Sequence, residues 1–127
     1  MGNTNSVNKI SFKQMQTIIQ NKHYIIINTL SPDLQNCLII NTLNASQEVS
    51  IINNLIKTDK ERIIIIYGKN CIDESLIKKY TQLLNLGFKN INVYVGGLFE
   101  WLTLQDIYGS DLFPTTNIEK DFLKYSP

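Results

Sequence analysis

The chain has 127 residues, with 12 basic and 11 acidic side chains and a net charge of +1, enough length for one domain that buries an apolar core without disulfide staples. Near-balanced, scattered charge leaves no basic stripe to neutralise phosphates, so nucleic acid is not an expected partner. Cys37 and Cys71 stand in no paired spacing, and with the single histidine, His23, they fall short of a zinc ligand set; no metal or cofactor is expected.

Residues 1–9 are polar and read as a flexible leader. Met1-Gly2-Asn3-Thr4-Asn5-Ser6 fits the Met-Gly-x-x-x-Ser/Thr pattern for N-myristoylation of Gly2. A single acyl chain anchors only reversibly, so the pattern carries an expectation of reversible membrane association. Ser11 to Gln14 has the form of a capping box, and Phe12, Met15, Ile18 and Ile19 then share one helical face. Tyr24 to Ile27 is a short β-branched run, ended by turn chemistry in Asn28 to Asp33. Cys37 to Ile40 reads as a further short strand. Asn44 to Ser46 would cap a helix whose Val49, Ile52, Leu55 and Ile56 repeat with a period near 3.6.

Ile63-Ile64-Ile65-Ile66-Tyr67 is apolar on both faces, which is what a central parallel strand covered on both sides requires. Apolar runs of this length are strand-sized rather than membrane-spanning, and a soluble fold in a reducing, cytoplasmic compartment is the expectation. Asp73 to Leu86 reads as a helix with acidic residues at its positive end, a stripe of Leu76, Ile77, Tyr80, Leu83 and Leu84, and Gly87 as its cap. Ile91 to Val95 is a strand, Gly96-Gly97 a turn, and Leu98 to Ile107 a helix carrying Phe99, Trp101 and Leu102. Residues 117–127 form a tail in which Ile118, Phe122 and Leu123 suggest a terminal helix. Strands alternating with helices predict a three-layer α/β fold, its mostly parallel sheet of four to five strands covered by helices on both faces.

The segment from Leu86 to Trp101 resembles the closing section of rhodanese-like domains, where a helix ends in a Gly-aromatic pair, a strand follows, and a Gly-Gly turn leads to a tryptophan. Gly87-Phe88, Ile91 to Val95, Gly96-Gly97 and Trp101 carry the likeness. It extends over about residues 10–116, with Ile63 to Tyr67 as the strand before the active-site loop. In Ser31 to Ser46 the family's acidic residue and Gly-His-Ile-type turn are replaced by Leu34-Gln35-Asn36-Cys37-Leu38-Ile39.

The resemblance implies a sulfurtransferase architecture in which a cysteine directly after the core strand opens a loop leading into a helix. Backbone N–H groups and the helix dipole there stabilise a thiolate, a persulfide or an oxyanion. In this chain that first position is Gly68, and the thiol comes three residues later, at Cys71. The implied anion-binding loop is Gly68, Lys69, Asn70, Ile72, Asp73 and Glu74, expected to line a small pocket at the carboxyl ends of the strands. Asn28 replaces the family's frequent aspartate, Leu30 its frequent arginine, and Asp73 and Glu74 bring negative charge that opposes anion capture and thiolate formation.

Two functions follow from the same loop: a non-catalytic module binding a protein partner or a small sulfur-containing anion, or a sulfurtransferase carrying a persulfide on Cys71. A redox-sensing thiol at Cys71 is a third. A Cys-x5-Arg phosphatase is excluded, since Ile77 stands where its arginine would be. Cys37 reads as core, His23 as surface or loop packing, and Trp101 and Phe99 as core or site wall.

Overall fold

A computed structural model describes residues 7–127; the Gly2 pattern lies outside the described residues. In chain order the elements are β1 (Asn8–Ile10), α1 (Phe12–Ile18), β2 (Ile25–Asn28), a 3-10 turn (Pro32–Leu34), β3 (Thr42–Leu43), α2 (Ala45–Thr58), β4 (Ile64–Tyr67), α3 (Ser75–Asn85), β5 (Ile91–Tyr94), α4 (Gly97–Tyr108) and a closing 3-10 turn (Phe122–Tyr125). The five strands form one sheet in the order β1-β5-β4-β2-β3, and every pairing between them is parallel.

The isoleucine run takes the middle of that sheet, as its two-sided apolarity requires. Ile64 and Ile66 point into a cluster with Ile52 and Leu55 of α2 and Leu76 and Leu83 of α3. Ile65 and Tyr67 alternate to the other face, against Met15 of α1 and Leu98, Trp101 and Leu102 of α4. Period-two alternation in one strand thus feeds two cores at once. The helix ends follow the sequence signals: Ser11 with Gln14, and Asn44 with Gln47, form reciprocal capping boxes. Gly87, at φ 101°, closes α3, with its N–H donating to Leu84 O and that of Phe88 to Leu83 O, the paired bonds of a Schellman motif.

Four expectations change. The polar leader is not wholly outside the fold, because Asn8–Ile10 pairs with β5 as an edge strand. Cys37 to Ile40 is not a strand. Its amides bond outward instead, Leu38 N–H to Thr116 Oγ1, Ile39 N–H to the Tyr67 hydroxyl and Ile40 N–H to Pro114 O; a short apolar run does not distinguish a strand from buried irregular chain. Cys37 is nevertheless core, as expected. On α3 the buried residues are Leu76 and Leu83, whereas Ile77 and Leu84 face outward, and on α2 Val49 is likewise exposed. In the tail the buried side chain is Tyr125, 1% exposed, while Ile118 and Leu123 are 81% and 67% exposed.

Candidate functional site

The carboxyl ends of β2, β4 and β5 bring together Asn28 and Thr29, the loop from Gly68 to Glu74, and Gly96-Gly97. Parallel α/β sheets place their sites at this edge. The loop is held on the first turn of α4 by two backbone bonds, Leu98 N–H to Gly68 O at 3.0 Å and Phe99 N–H to Lys69 O at 2.9 Å. Contact this close explains the second glycine of the pair: a Cβ on Gly97 would lie 2.7 Å from Gly68 O and 2.9 Å from Asn70 N, and its φ is 69°. The first glycine clears space for Glu100, whose carboxylate a Cβ there would strike. Glu100 turns back to accept a 2.6 Å hydrogen bond from the Tyr94 hydroxyl. Burial, reinforced by that carboxylate, holds Tyr94 protonated far above the usual phenol range.

The interior of the loop is filled by its own side chain. Asp73 Oδ2 accepts from Lys69 N–H at 2.9 Å, and Oδ1 accepts from Ser75 N–H at 3.1 Å and from the Ser75 hydroxyl at 2.7 Å. Ser75 Oγ also lies 2.7 Å from Thr29 Oγ1, which ties β2 to the arrangement. Burial alone would raise the Asp73 pKa; the hydrogen bonds from Lys69 and Ser75, with the Lys69 charge, outweigh it and hold the carboxyl below the usual aspartate range. A Cβ built on Gly68 would sit 2.5 Å from Asp73 Oδ2 and 2.8 Å from Thr29 Oγ1. The carboxylate therefore occupies the space a side chain at the first loop position would take.

Asn70 consumes further donors: its Oδ1 accepts from Ile72 N–H, its backbone carbonyl accepts from Asp73 N–H, and its Nδ2 donates to Tyr125 O. The N–H groups of Lys69, Ile72, Asp73 and Ser75 are thus turned onto loop acceptors. Cys71 and Ile72 are exposed at the loop's outer edge, Glu74 is exposed beyond them, and Lys69 is half-buried. A groove of about 350 Å³ lies beside the loop between α2 and α3. Asn28, Thr29, Ala45, Glu48, Ser75 and Lys79 line it in part, and Lys69 to Glu74 do not. Lys79 is there paired with Glu48 at 2.5 Å.

Asn28 is 3% exposed and uses both ends of its amide. Its Nδ2 donates to Gln35 Oε1 and Leu43 O, and its Oδ1 accepts from Leu30 N–H and Gln35 Nε2. Gln35 completes the junction by accepting from Ala45 N–H and donating to Leu30 O. A neutral amide at 28 is what this environment satisfies; a carboxylate would face two oxygen acceptors. Sequence reading passed over Gln35, and the substitution of Asn28 for an acid was the signal that a neutral partner existed. Trp101 is buried, with Nε1–H donating to Pro114 O, and belongs to the core. His23 is exposed. Among the described residues no group of three or more His, Cys, Asp or Glu side chains is placed to hold a metal ion, and no helix is long and apolar enough to cross a membrane.

No protein-family model matches the sequence, and neither does any curated protein sequence. Solved structures do match. The rhodanese-like domain of the Alr3790 protein from Anabaena sp. superposes with a TM-score of 0.63 at 18% identity, over 91% of this chain and 83% of that one. The BH2092 protein from Bacillus halodurans gives a TM-score of 0.62 at 15% identity, over 77% and 73%. A structure of EanB with ergothioneine covalently linked to a persulfide cysteine gives 0.61 at 19% identity, over 91% of this chain but 29% of EanB. At these identities the likeness is one of fold, and fold leaves activity open.

Proposed function

We propose that this chain, whose fold is the rhodanese-like one, is a non-catalytic module that uses the face around residues 68–74 to bind a partner rather than to move sulfur. One observation carries the reading: the Asp73 carboxylate takes the space at the head of the loop and the donors of Lys69 and Ser75. A nucleophile there needs a side chain at position 68 and open N–H groups facing it. Gly68 offers no side chain, and a fixed carboxylate repels an incoming thiosulfate dianion. These features favour a protein partner over a small sulfur-containing anion. Cys71 and Ile72 form the exposed rim that such a partner would meet.

The second reading rests on the exposure of Cys71, which leaves a thiol within reach of a sulfur donor, and on the persulfide seen in the fold relative EanB. In that reading the Cys71 thiolate takes the sulfane sulfur of thiosulfate, sulfite leaves, and the persulfide passes its sulfur to an acceptor. A thiosulfate:cyanide assay with intact-mass analysis separates the two. The proposal expects no turnover above the protein-free rate and no persulfide mass increment; turnover that disappears in Cys71→Ser would overturn it.

A further inference from the structure

At the amino ends of the strands, the edge of the sheet opposite the 68–74 loop, a groove of about 390 Å³ opens beside α1. Its floor is apolar: Ile10, Ile18, Tyr24 and Ile63 line it, each partly buried and packed on the cluster that holds Met15 and Ile65. The rest of the lining is amide and hydroxyl, and those groups are already engaged by the protein. Asn8 Nδ2 donates to Asn92 Oδ1, Gln14 Oε1 accepts from Ser11 N–H, and Thr17 Oγ1 donates to Lys13 O. No charged side chain lines this groove, whereas Lys89 stands in the hollow adjoining it, Asp111 in another, and the Glu48–Lys79 pair in the one beside the loop. What it offers an occupant is therefore hydrocarbon contact, in a volume within the range of about 300–1,000 Å³ typical of small-molecule sites.

We propose that this groove receives a saturated acyl chain carried on Gly2 of the same molecule, which makes membrane attachment switchable. Two independent features meet here: the Met-Gly-x-x-x-Ser pattern of residues 1–6, and an uncharged apolar groove with Asn8, the first residue of β1, in its wall. Once Met1 is removed, the Gly2 amine attacks the carbonyl of a myristoyl thioester; the amide forms, and the thiol leaves with the amine proton. From Gly2 to Asn8 the chain reaches at most about 20 Å when extended, and so short a tether presents its cargo to the groove at an effective concentration of about millimolar. A lone myristoyl chain binds bilayers only marginally, at about 10⁴ M⁻¹, so an apolar site this close competes with the membrane for it. Docked and released states leave the 68–74 face equally open, because the groove lies at the other edge of the sheet. Acylation of Gly2 is the premise, and the reading of the loop does not enter.

The full chain, co-expressed with an N-myristoyltransferase and labelled at isoleucine methyls, is compared with its Gly2→Ala counterpart, which cannot be acylated. Intact mass first establishes the acyl group. Docking predicts that acylation shifts the methyl resonances of Ile10, Ile18 and Ile63 and spares those of Ile77 and Ile107, exposed on other faces. Thr17→Trp fills the groove from an exposed helix position. It should raise partitioning of the acylated protein onto phosphatidylcholine vesicles by about tenfold, the factor by which a chain docked about nine-tenths of the time withholds itself. Should that variant fail to fold, the methyl shifts of the wild-type protein carry the test. Protein that stays unacylated beside the transferase would overturn the proposal at its premise. In acylated protein, unshifted methyls, or vesicle binding no stronger in folded Thr17→Trp than in wild type, would overturn the docking itself. Neither result bears on sulfur transfer, which is read by a different assay.

Discussion

Gly68→Ala tests the loop most directly. Its Cβ would lie 2.5 Å from Asp73 Oδ2 and 2.8 Å from Thr29 Oγ1, closer than non-bonded carbon and oxygen approach. Room appears only if the carboxylate swings away, which gives up its bonds from Lys69 N–H and Ser75. Overpacking costs about 1–3 kcal/mol, and loss of a helix-start acceptor about 1 kcal/mol, so the single variant should lose about 2–4 kcal/mol. Asp73→Ala alone forfeits the acceptor and should lose about 1 kcal/mol. In the double variant the acceptor is lost once and the clash with it is gone, leaving a Thr29 hydroxyl that can change rotamer. The double variant should therefore lose less than the sum of the two singles, by about 2–4 kcal/mol, where independent sites add to within about 0.5 kcal/mol. Urea unfolding of the four proteins at a common m-value measures the cycle. Additive losses would refute the claim that Asp73 fills the place of a side chain at 68.

Three more outcomes follow from the same geometry, and a fourth from the sequence alone. The Asp73 carboxyl is held below the 3.8 of a free aspartate, so its contribution is present above that value and lost as pH falls through the lowered one; the stability difference between wild type and Asp73→Asn should shrink below about pH 4, read from urea midpoints across pH 3 to 7. Asn28→Asp would set a buried carboxylate against Gln35 Oε1 and Leu43 O and should cost about 3 kcal/mol near neutrality. That loss should ease as acid protonates the new group, because burial would raise its folded pKa and the folded state would then bind the extra proton. Gly97→Ala must adopt φ 69° while its Cβ meets Gly68 O and Asn70 N; a drop in melting temperature larger than that of Gly109→Ala, where the added Cβ meets nothing within 4 Å but the backbone at φ 99° and ψ 160° is itself hostile to alanine, would show a loop contact beyond the backbone cost. For Gly2, whose pattern is read from the sequence alone, intact mass of protein made in a eukaryotic host is the test: one added myristoyl chain would support the membrane expectation, and an unmodified N-terminus would remove it.

Much of this architecture was legible because its signals are local or strictly periodic. The capping box at Ser11, the cap at Asn44, the two-sided apolarity of Ile63 to Tyr67 and the Gly87 terminus each state their structure within a few residues. Position 68 was equally plain, since a missing side chain is visible in the sequence. What replaced it was not: Asp73 was read as charge opposing a ligand, whereas in space it is the group occupying the loop. The Cys37 to Ile40 segment misled because its partners, Pro114 and Thr116, come from far along the chain. Tyr125 was missed for a related reason, as burial of one ring in an otherwise exposed tail leaves no period to detect.

The isoleucine-rich strand has a consequence for the unfolded chain. Ile63 to Tyr67 is β-branched, uncharged and free of proline, and Tyr24 to Ile27 is nearly as apolar, the composition from which intermolecular cross-β stacking starts. In the folded protein both sequences lie inside the sheet, and the strands left at its rims, β1 and β3, are only 3 and 2 residues long. Such edges give a neighbouring molecule little to pair with. The hazard belongs instead to the interval before β2, β4 and β5 have met, when their parallel pairing still waits on chain segments distant in sequence. Lys60, Glu61, Arg62 and Lys69 bracket the central run with charge, the placement by which gatekeeper residues hold such segments apart during synthesis.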